Sequence, residues 1–324
     1  MPQAVKSIAE SILRSSGLLG GFRFLNRSGL RILMYHRFDP DTKGLREQCR
    51  HINRYYRPVS MNSIGDWLHS GKPLPDNPVA VTVDDGYRDF LLHAYPVFRE
   101  FEIPVMVYLV SDFLDGKLWL WWNQIEYAFE HTPLRSADIK LPIDEIDVNL
   151  DTPEERFQTG RRVAEALTTV DNSERVRLLS LIPKLLQVDL PAQPPSHFAP
   201  LTWAEVRELA QDRVDFGCHT KTHPILSSIR NSNGQEAEIK DAKLRLEQEL
   251  SNPIDHFCYP NGSLSDFNDE TLRIIDTLGF RTAVTTKPGL NSKRTQPFLL
   301  RRLPVDPTLT PDYFERLLSG VFRR

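Results

Sequence analysis

The chain has few cysteines, no long apolar run and no dominant sign of charge. Its three cysteines, Cys49, Cys218 and Cys258, are odd in number and show no Cys-x-x-Cys spacing. That argues against a disulfide framework and a cysteine zinc cluster, and for a reducing compartment. A membrane-spanning helix needs about 20 apolar residues. The most apolar stretches here are strand-length or broken by charge. Lys and Arg number 40 against 43 Asp and Glu, a net −3, so no global field favours nucleic acid and no such partner is expected. Gly17-Leu18-Leu19-Gly20-Gly21-Phe22 is too short and glycine-rich for the apolar centre of a secretory signal. A cytoplasmic location is expected. What is present, 40% hydrophobic and 26% charged residues, fits a folded globular chain.

Seven short apolar runs have strand character: Arg31–Tyr35, Val79–Val83, Val105–Val110, Val214–Gly217, Phe257–Tyr259, Arg281–Thr285 and Phe298–Leu303. Helical patterns separate them. Thr202 and Glu205 form a capping box that opens a helix through Leu209. Further helices are expected over Glu236–Leu250 and over Thr271–Leu278, the latter stopped by Gly279. Strands alternating with helices imply a parallel sheet or barrel in one domain over residues 31–324.

Two segments stand apart. Residues 1–30 form a basic amphipathic lead-in, with Val5, Ile8, Ile12 and Leu13 at helical spacing. It reads as a helix packed on the fold or as a peripheral membrane contact. Residues at about 114–200 separate two strands by far more than one helix needs, and read as a helical insertion. Helices are expected from Pro153 to about Leu167 and over Ser173–Leu186, before the proline-rich stretch Pro191 to Pro200. Trp119, Trp121 and Trp122 form either the insertion's own core or a stacking surface. The acids of residues 138–155 read as a solvated face.

Three clusters fall at strand ends. Asp84-Asp85-Gly86 follows an apolar strand; it is a plain turn, or one carboxylate binds a metal while its neighbour faces a substrate. His219 and His223, in His-Thr-Lys-Thr-His-Pro, meet on one face if the turn is helical, a natural ligand pair. Cys258-Tyr259-Pro260-Asn261-Gly262 is a tight turn that can aim backbone N–H groups into a pocket. His36 ends the run Ile32–Tyr35. An Asp-His-His set with an open position suits a hydrolytic zinc centre, with another carboxylate as base and another His as acid.

These motifs together resemble the polysaccharide deacetylases with the NodB-homology domain, carbohydrate esterase family four. The resemblance covers roughly residues 31–110 and 200–305 and includes Leu33-Met34-Tyr35-His36-Arg37. It implies a distorted seven-stranded (β/α) barrel, one divalent metal ion, usually zinc (Zn2+), and removal of an N-acetyl group from an amino sugar of a glycan. It implies that Asp85, His219 and His223 hold the metal, that Asp84 is the general base, and that Thr220 braces the metal loop. Asn261, through its backbone N–H, and Tyr259 would meet the substrate. Alternatives are a deformylase or deacetylase of a lipid-linked amino sugar at the inner membrane face, and a degenerate barrel that only binds saccharide.

The chain departs from the family at several points: the Asp-x-x-Trp that flanks the family's acid is missing from the C-terminal third, and Asn261 stands where a Tyr is usual. The late Leu-x-His motif that supplies the acid is absent, since no His follows His256. His36 is the expected replacement, because some members resemble a circular permutation with an early Tyr-His strand. Where the family often carries a base-tuning Arg in its third motif, this chain has Cys258. Arg301 or Arg302 could supply that charge or be an ordinary strand-end salt-bridge partner.

Overall fold

The computed structural model describes residues 18–140 and 145–322. The helix expected over residues 5–14 lies outside them. Six of the seven expected strands form: β1 Arg31–Tyr35, β3 Pro78–Val83, β4 Val105–Leu109, β7 Val214–Cys218, β8 His256–Cys258 and β9 Thr282–Val284; the seventh, expected over Phe298–Leu303, is displaced to β10 Leu303–Pro304, with only a single bridge at Leu300 before it. They lie parallel in the order β10-β1-β3-β4-β7-β8-β9. An eighth strand, β2 Arg57–Pro58, pairs with β3. Leu300 bridges to Val284 of β9 while Leu303 pairs with Leu33 of β1, so this stretch joins the two ends of the curled sheet.

β1, β3 and β4 are buried along their whole length, which is why they read as continuous apolar runs and not as alternating ones. Alternation survives in the packing. Ile32, Ala80, Met106, Tyr108, Cys258, Val284 and Leu300 share the barrel's interior cluster. Leu33, Val81, Val107, Phe216, Phe257 and Ala283 pack outward against the helices.

The insertion has its own core of Trp121, Ile125, Phe129, Leu150, Val163, Leu167, Leu178, Ile182 and Leu186. Its helices are Trp121–His131, Pro153–Leu167 and Asn172–Leu185. It also holds an antiparallel hairpin, β5 Ser136–Lys140 with β6 Glu145–Asn149, where only a solvated acidic face was expected. Among the described residues no helix is long and apolar enough to cross a membrane.

Asp115 ties the start of the insertion to the barrel. It accepts from Arg245 Nη2 at 3.0 Å, Lys117 Nζ at 2.7 Å and Trp203 Nε1 at 2.7 Å. Burial alone would raise its pKa; these hydrogen bonds instead bring it down to about 2. A carboxyl lowered on folding stabilises the protein above the unfolded value of ~4, and that stabilisation is lost as pH falls through the folded one. The parent protein should therefore lose more stability in acid than Asp115→Asn. Urea midpoints compared at neutral pH and at about pH 2.5 check this; parallel losses in the two proteins would refute it.

Candidate active site

All the strands of the main sheet run the same way, so their C-terminal ends gather one set of loops. His36 follows β1, Asp84 and Asp85 follow β3, His219 follows β7, and Cys258 ends β8. Arg302 immediately precedes β10. The chain thus brings residues from four C-terminal strand ends and from the start of β10 to one place.

The backbone there is forced. Asp85, Thr220, His223 and Asn261 have φ of +75°, +68°, +56° and +58°. Left-handed backbone is costly for a residue with a Cβ, above all for a β-branched one such as Thr220. Gly86, at φ +89°, is required as glycine: a Cβ would sit 2.7 Å from the Leu109 side chain. Thr220 Oγ1 accepts the His223 N–H at 3.1 Å, a hydrogen bond within the same turn.

Asp85, His219 and His223 converge. Asp85 Oδ1 lies 3.6 Å from His219 Nε2 and 3.7 Å from His223 Nε2. These are too long for hydrogen bonds. Tetrahedral ligands ~2.1 Å from a zinc ion lie roughly 3.4 Å apart, so the spacing fits a metal. His219 Nδ1 faces the Cys258 carbonyl at 2.8 Å, leaving Nε2 to point at the group. Burial lowers the His219 pKa to about 4, and burial next to His219 holds His223 well below its usual value. Both shifts favour the neutral imidazole, the ligating form. Burial and the charge of Asp84 push Asp85 well above the carboxylate range, the environment of an anion that needs a cation.

Asp84 is held differently. Arg302 grips it with two hydrogen bonds, Nη1 to Oδ1 at 2.6 Å and Nη2 to Oδ2 at 2.8 Å, and both residues are buried. The same guanidinium reaches Thr82 Oγ1 at 3.1 Å, the Thr285 carbonyl at 3.0 Å and Cys258 Sγ at 3.2 Å. Burial alone would raise the Asp84 pKa, but Arg302, with His36 and His219, overrides it and keeps the carboxylate ionised. Asp84, His219 and Cys258 also lie close enough to hold a metal. Arg302 already supplies a cation between Asp84 and Cys258, so a second would be repelled.

His36 lies at the rim, 46% exposed, with Nε2 3.6 Å from Asp84 Oδ2. Burial of its inner edge outweighs Asp84 and lowers its pKa. Asn261 sits on the turn after β8, on the wall of a cavity of about 750 Å³ shared with residues 168–171 of the insertion. Tyr259, expected to meet substrate, is instead buried. Its ring stacks on Phe267 at 3.8 Å and its hydroxyl donates to the Phe298 carbonyl. Cys258 faces the barrel interior, so its neighbour must face the other way.

Two site residues escaped the sequence reading in whole or part. Arg302 was left open between a charge supplier and a strand-end partner; it fills the space beside Cys258, where the family often has its arginine. Its signal was alternation, which puts Arg302 on the face of Leu300. The tryptophans divide: Trp119 and Trp121 are buried, while Trp122 sets its ring against His223 at a centroid distance of 4.6 Å. Trp122 Nε1 donates to the Tyr87 hydroxyl at 3.0 Å, and no sequence pattern announced that contact.

Fold and site together define a (β/α) barrel with a candidate mononuclear metal centre at the C-terminal ends of its strands. A family profile described as polysaccharide deacetylase matches residues 152–283, which include both histidines and the Asn261 turn but not Asp84 or Asp85. Over this segment the chain is similar to polysaccharide deacetylases, and curated relatives with such names match it in part. It is 36% identical over 75 residues to the poly-beta-1,6-N-acetyl-D-glucosamine N-deacetylase of Escherichia coli (strain K12), spanning 23% of this chain and 11% of that one. It is 28% identical over 121 residues to YxkH of Bacillus subtilis (strain 168), spanning 37% and 42%. The matches thus span less than half the length of either relative. Among solved structures, the Streptococcus pyogenes deacetylase PplD aligns over 92% of this chain and 100% of its own, with TM-score 0.58 and 19% identity. IcaB from Ammonifex degensii aligns over 90% and 96%, with TM-score 0.57 and 17% identity. At that identity the likeness is one of fold.

Proposed function

We propose that the protein is a metal-dependent hydrolase that removes the N-acetyl group from an amino sugar of a glycan. The observation that carries this reading is the unequal treatment of adjacent carboxylates. Asp84 is locked as an anion by Arg302, while Asp85 faces two neutral imidazoles at ligand spacing. A structural Asp-Asp-Gly turn has no need of either arrangement.

Asp85, His219 and His223 would hold one divalent ion, with zinc the best fit to an N,N,O donor set. Bound there, the ion supplies positive charge that acidifies a water and polarises the acyl carbonyl. Asp84, ionised and fixed in direction, accepts the proton of the attacking water. The Asn261 N–H is the donor for the oxygen that gains charge. Because His36 starts neutral, it can take the proton on from Asp84 and deliver it to the leaving amine.

His36→Ala should retain metal and fold and lose about 10²-fold or more in amide turnover. It should lose much less on an activated ester, whose leaving group needs no proton. Equal activity of variant and parent on both substrates would put the acid elsewhere.

The relative in Escherichia coli is named for an N-acetylglucosamine polymer, which makes such oligomers the first substrates to test. Released acid should be measured across soluble oligomers and lipid-linked amino sugars, with acetate and formate distinguished. Acetate from the soluble oligomers supports the proposal. Turnover of lipid-linked substrate alone would move the reaction to a membrane face, where the basic residues 1–30 would act as a peripheral anchor.

A further inference from the structure

A cavity of about 490 Å³ lies between the insertion helices Trp121–His131 and Asn172–Leu185, and reaches the metal loop at Thr222 and His223. Its walls are mostly apolar. Three buried nitrogens on its lining residues have no hydrogen-bond partner: Arg175 Nη1, Trp121 Nε1 and His223 Nδ1. All three are donors, since His223 carries its proton on Nδ1 once Nε2 is given to a metal. Among the described residues no acceptor answers Arg175 Nη1 or Trp121 Nε1.

Arg175 is the centre of this arrangement. It is 2% exposed, and Nη2 donates to Asn172 Oδ1, a neutral acceptor, at 2.6 Å. The nearby Asp171 carboxylate is engaged elsewhere, accepting the Ser173 hydroxyl and the Glu174 N–H on the same oxygen. Arg302, the other buried arginine of this region, has a carboxylate in its fork; Arg175 has none. The guanidinium lies 5.7 Å from the Trp121 ring, Trp121 meets Trp122 at 5.4 Å, and Trp122 meets His223 at 4.6 Å. At the exposed rim Lys184 and Asp189 carry opposite charges, so the buried Arg175 leaves the lining positive.

We infer that this cavity receives an oxyanion, a carboxylate or phosphate, carried on the amino-sugar substrate, with Arg175 and Trp121 as its donors. Apolar walls with buried, unpartnered donors on the lining residues suit a substituted sugar whose charged group is desolvated on entry. The link to substrate rests on the deacetylase reading; the anion site itself does not.

The zinc-loaded full chain should be titrated calorimetrically with inorganic phosphate and with acetate. Phosphate binding should weaken about tenfold or more in Arg175→Met and about threefold in Trp121→Phe, which keeps a ring and loses the N–H. Phosphate on the metal itself would be unmoved by either change. Thermal melting checks the fold; if Arg175→Met does not fold, Trp121→Phe and Arg175→Lys carry the comparison. Equal affinities in parent and variants, or no binding in the parent, overturn the site. A second arm compares N-acetylglucosamine oligomers with and without a phosphate substituent. The ratio of their KM values should shift about tenfold against the phosphorylated substrate in Arg175→Met. An unshifted ratio beside weakened phosphate binding would mean a free anion is bound, and overturns the substrate assignment. Absence of turnover on both would fail the deacetylase reading and leave the binding arm decisive for the anion site.

Discussion

Arg302→Met should destabilise the protein by about 3–5 kcal/mol, the usual cost of stranding one partner of a buried ion pair. The side chain makes two charge-assisted hydrogen bonds to Asp84 and further ones to Thr82, Thr285 and Cys258. Methionine occupies similar space and removes every donor. Asp84 is then a buried carboxylate without its arginine, beside a second buried carboxylate, and burial drives it to the neutral acid. Turnover should fall with stability, because a protonated Asp84 accepts no proton. Urea unfolding measures the first effect and acetate release the second. A loss below about 1 kcal/mol would mean that the pair is not the buried anchor described here.

Asp84→Asn should lower turnover by ~10²–10⁴, the range for removing a general base, while metal content stays near one per chain. Asparagine keeps the shape and loses the charge. It also strands Arg302, so this variant should lose stability on the same scale as Arg302→Met. The double variant Asp84→Asn/Arg302→Met separates the effects: with both charges gone, part of the stability should return, while activity stays lost. Loss of metal from Asp84→Asn would reverse the roles of the two carboxylates. A recovery of activity in the double variant would show that the base is elsewhere.

The resemblance carried by Asp84-Asp85-Gly86, His219-Thr220 and His223-Pro224 was legible because those residues are local. Each motif sits within a few residues of a strand end, where apolar runs mark the strands and breakers mark their ends. Arg302 was harder to read. Its partner lies 218 residues away, and Arg301 beside it offered the same chemistry. Alternation puts Arg302, not Arg301, on the face of Leu300, but that Leu300 itself faces inward follows only from the barrel's closure between β9 and β1.

The Tyr259 misreading has the same root. A residue beside a functional turn was given the turn's role, although strand alternation sends its side chain into the outer core. In the sequence of the hairpin β5–β6 the alternation of Ile139, Ile146 and Val148 with polar neighbours is short and set among many acids, so its strand signal is weak. Trp122 and Arg175 belong to the insertion, whose packing against the metal loop is a tertiary fact. No periodicity within residues 114–200 points to His223.

The most direct test of the account is metal add-back. The protein is stripped with a chelator, zinc is returned in measured portions, and acetate released from N-acetylglucosamine oligomers is followed at each step. Activity should be absent without metal, rise in proportion to zinc and level off at one equivalent per chain. Acetate released at the same rate by the stripped protein, or none released at any zinc level by folded protein, would contradict it.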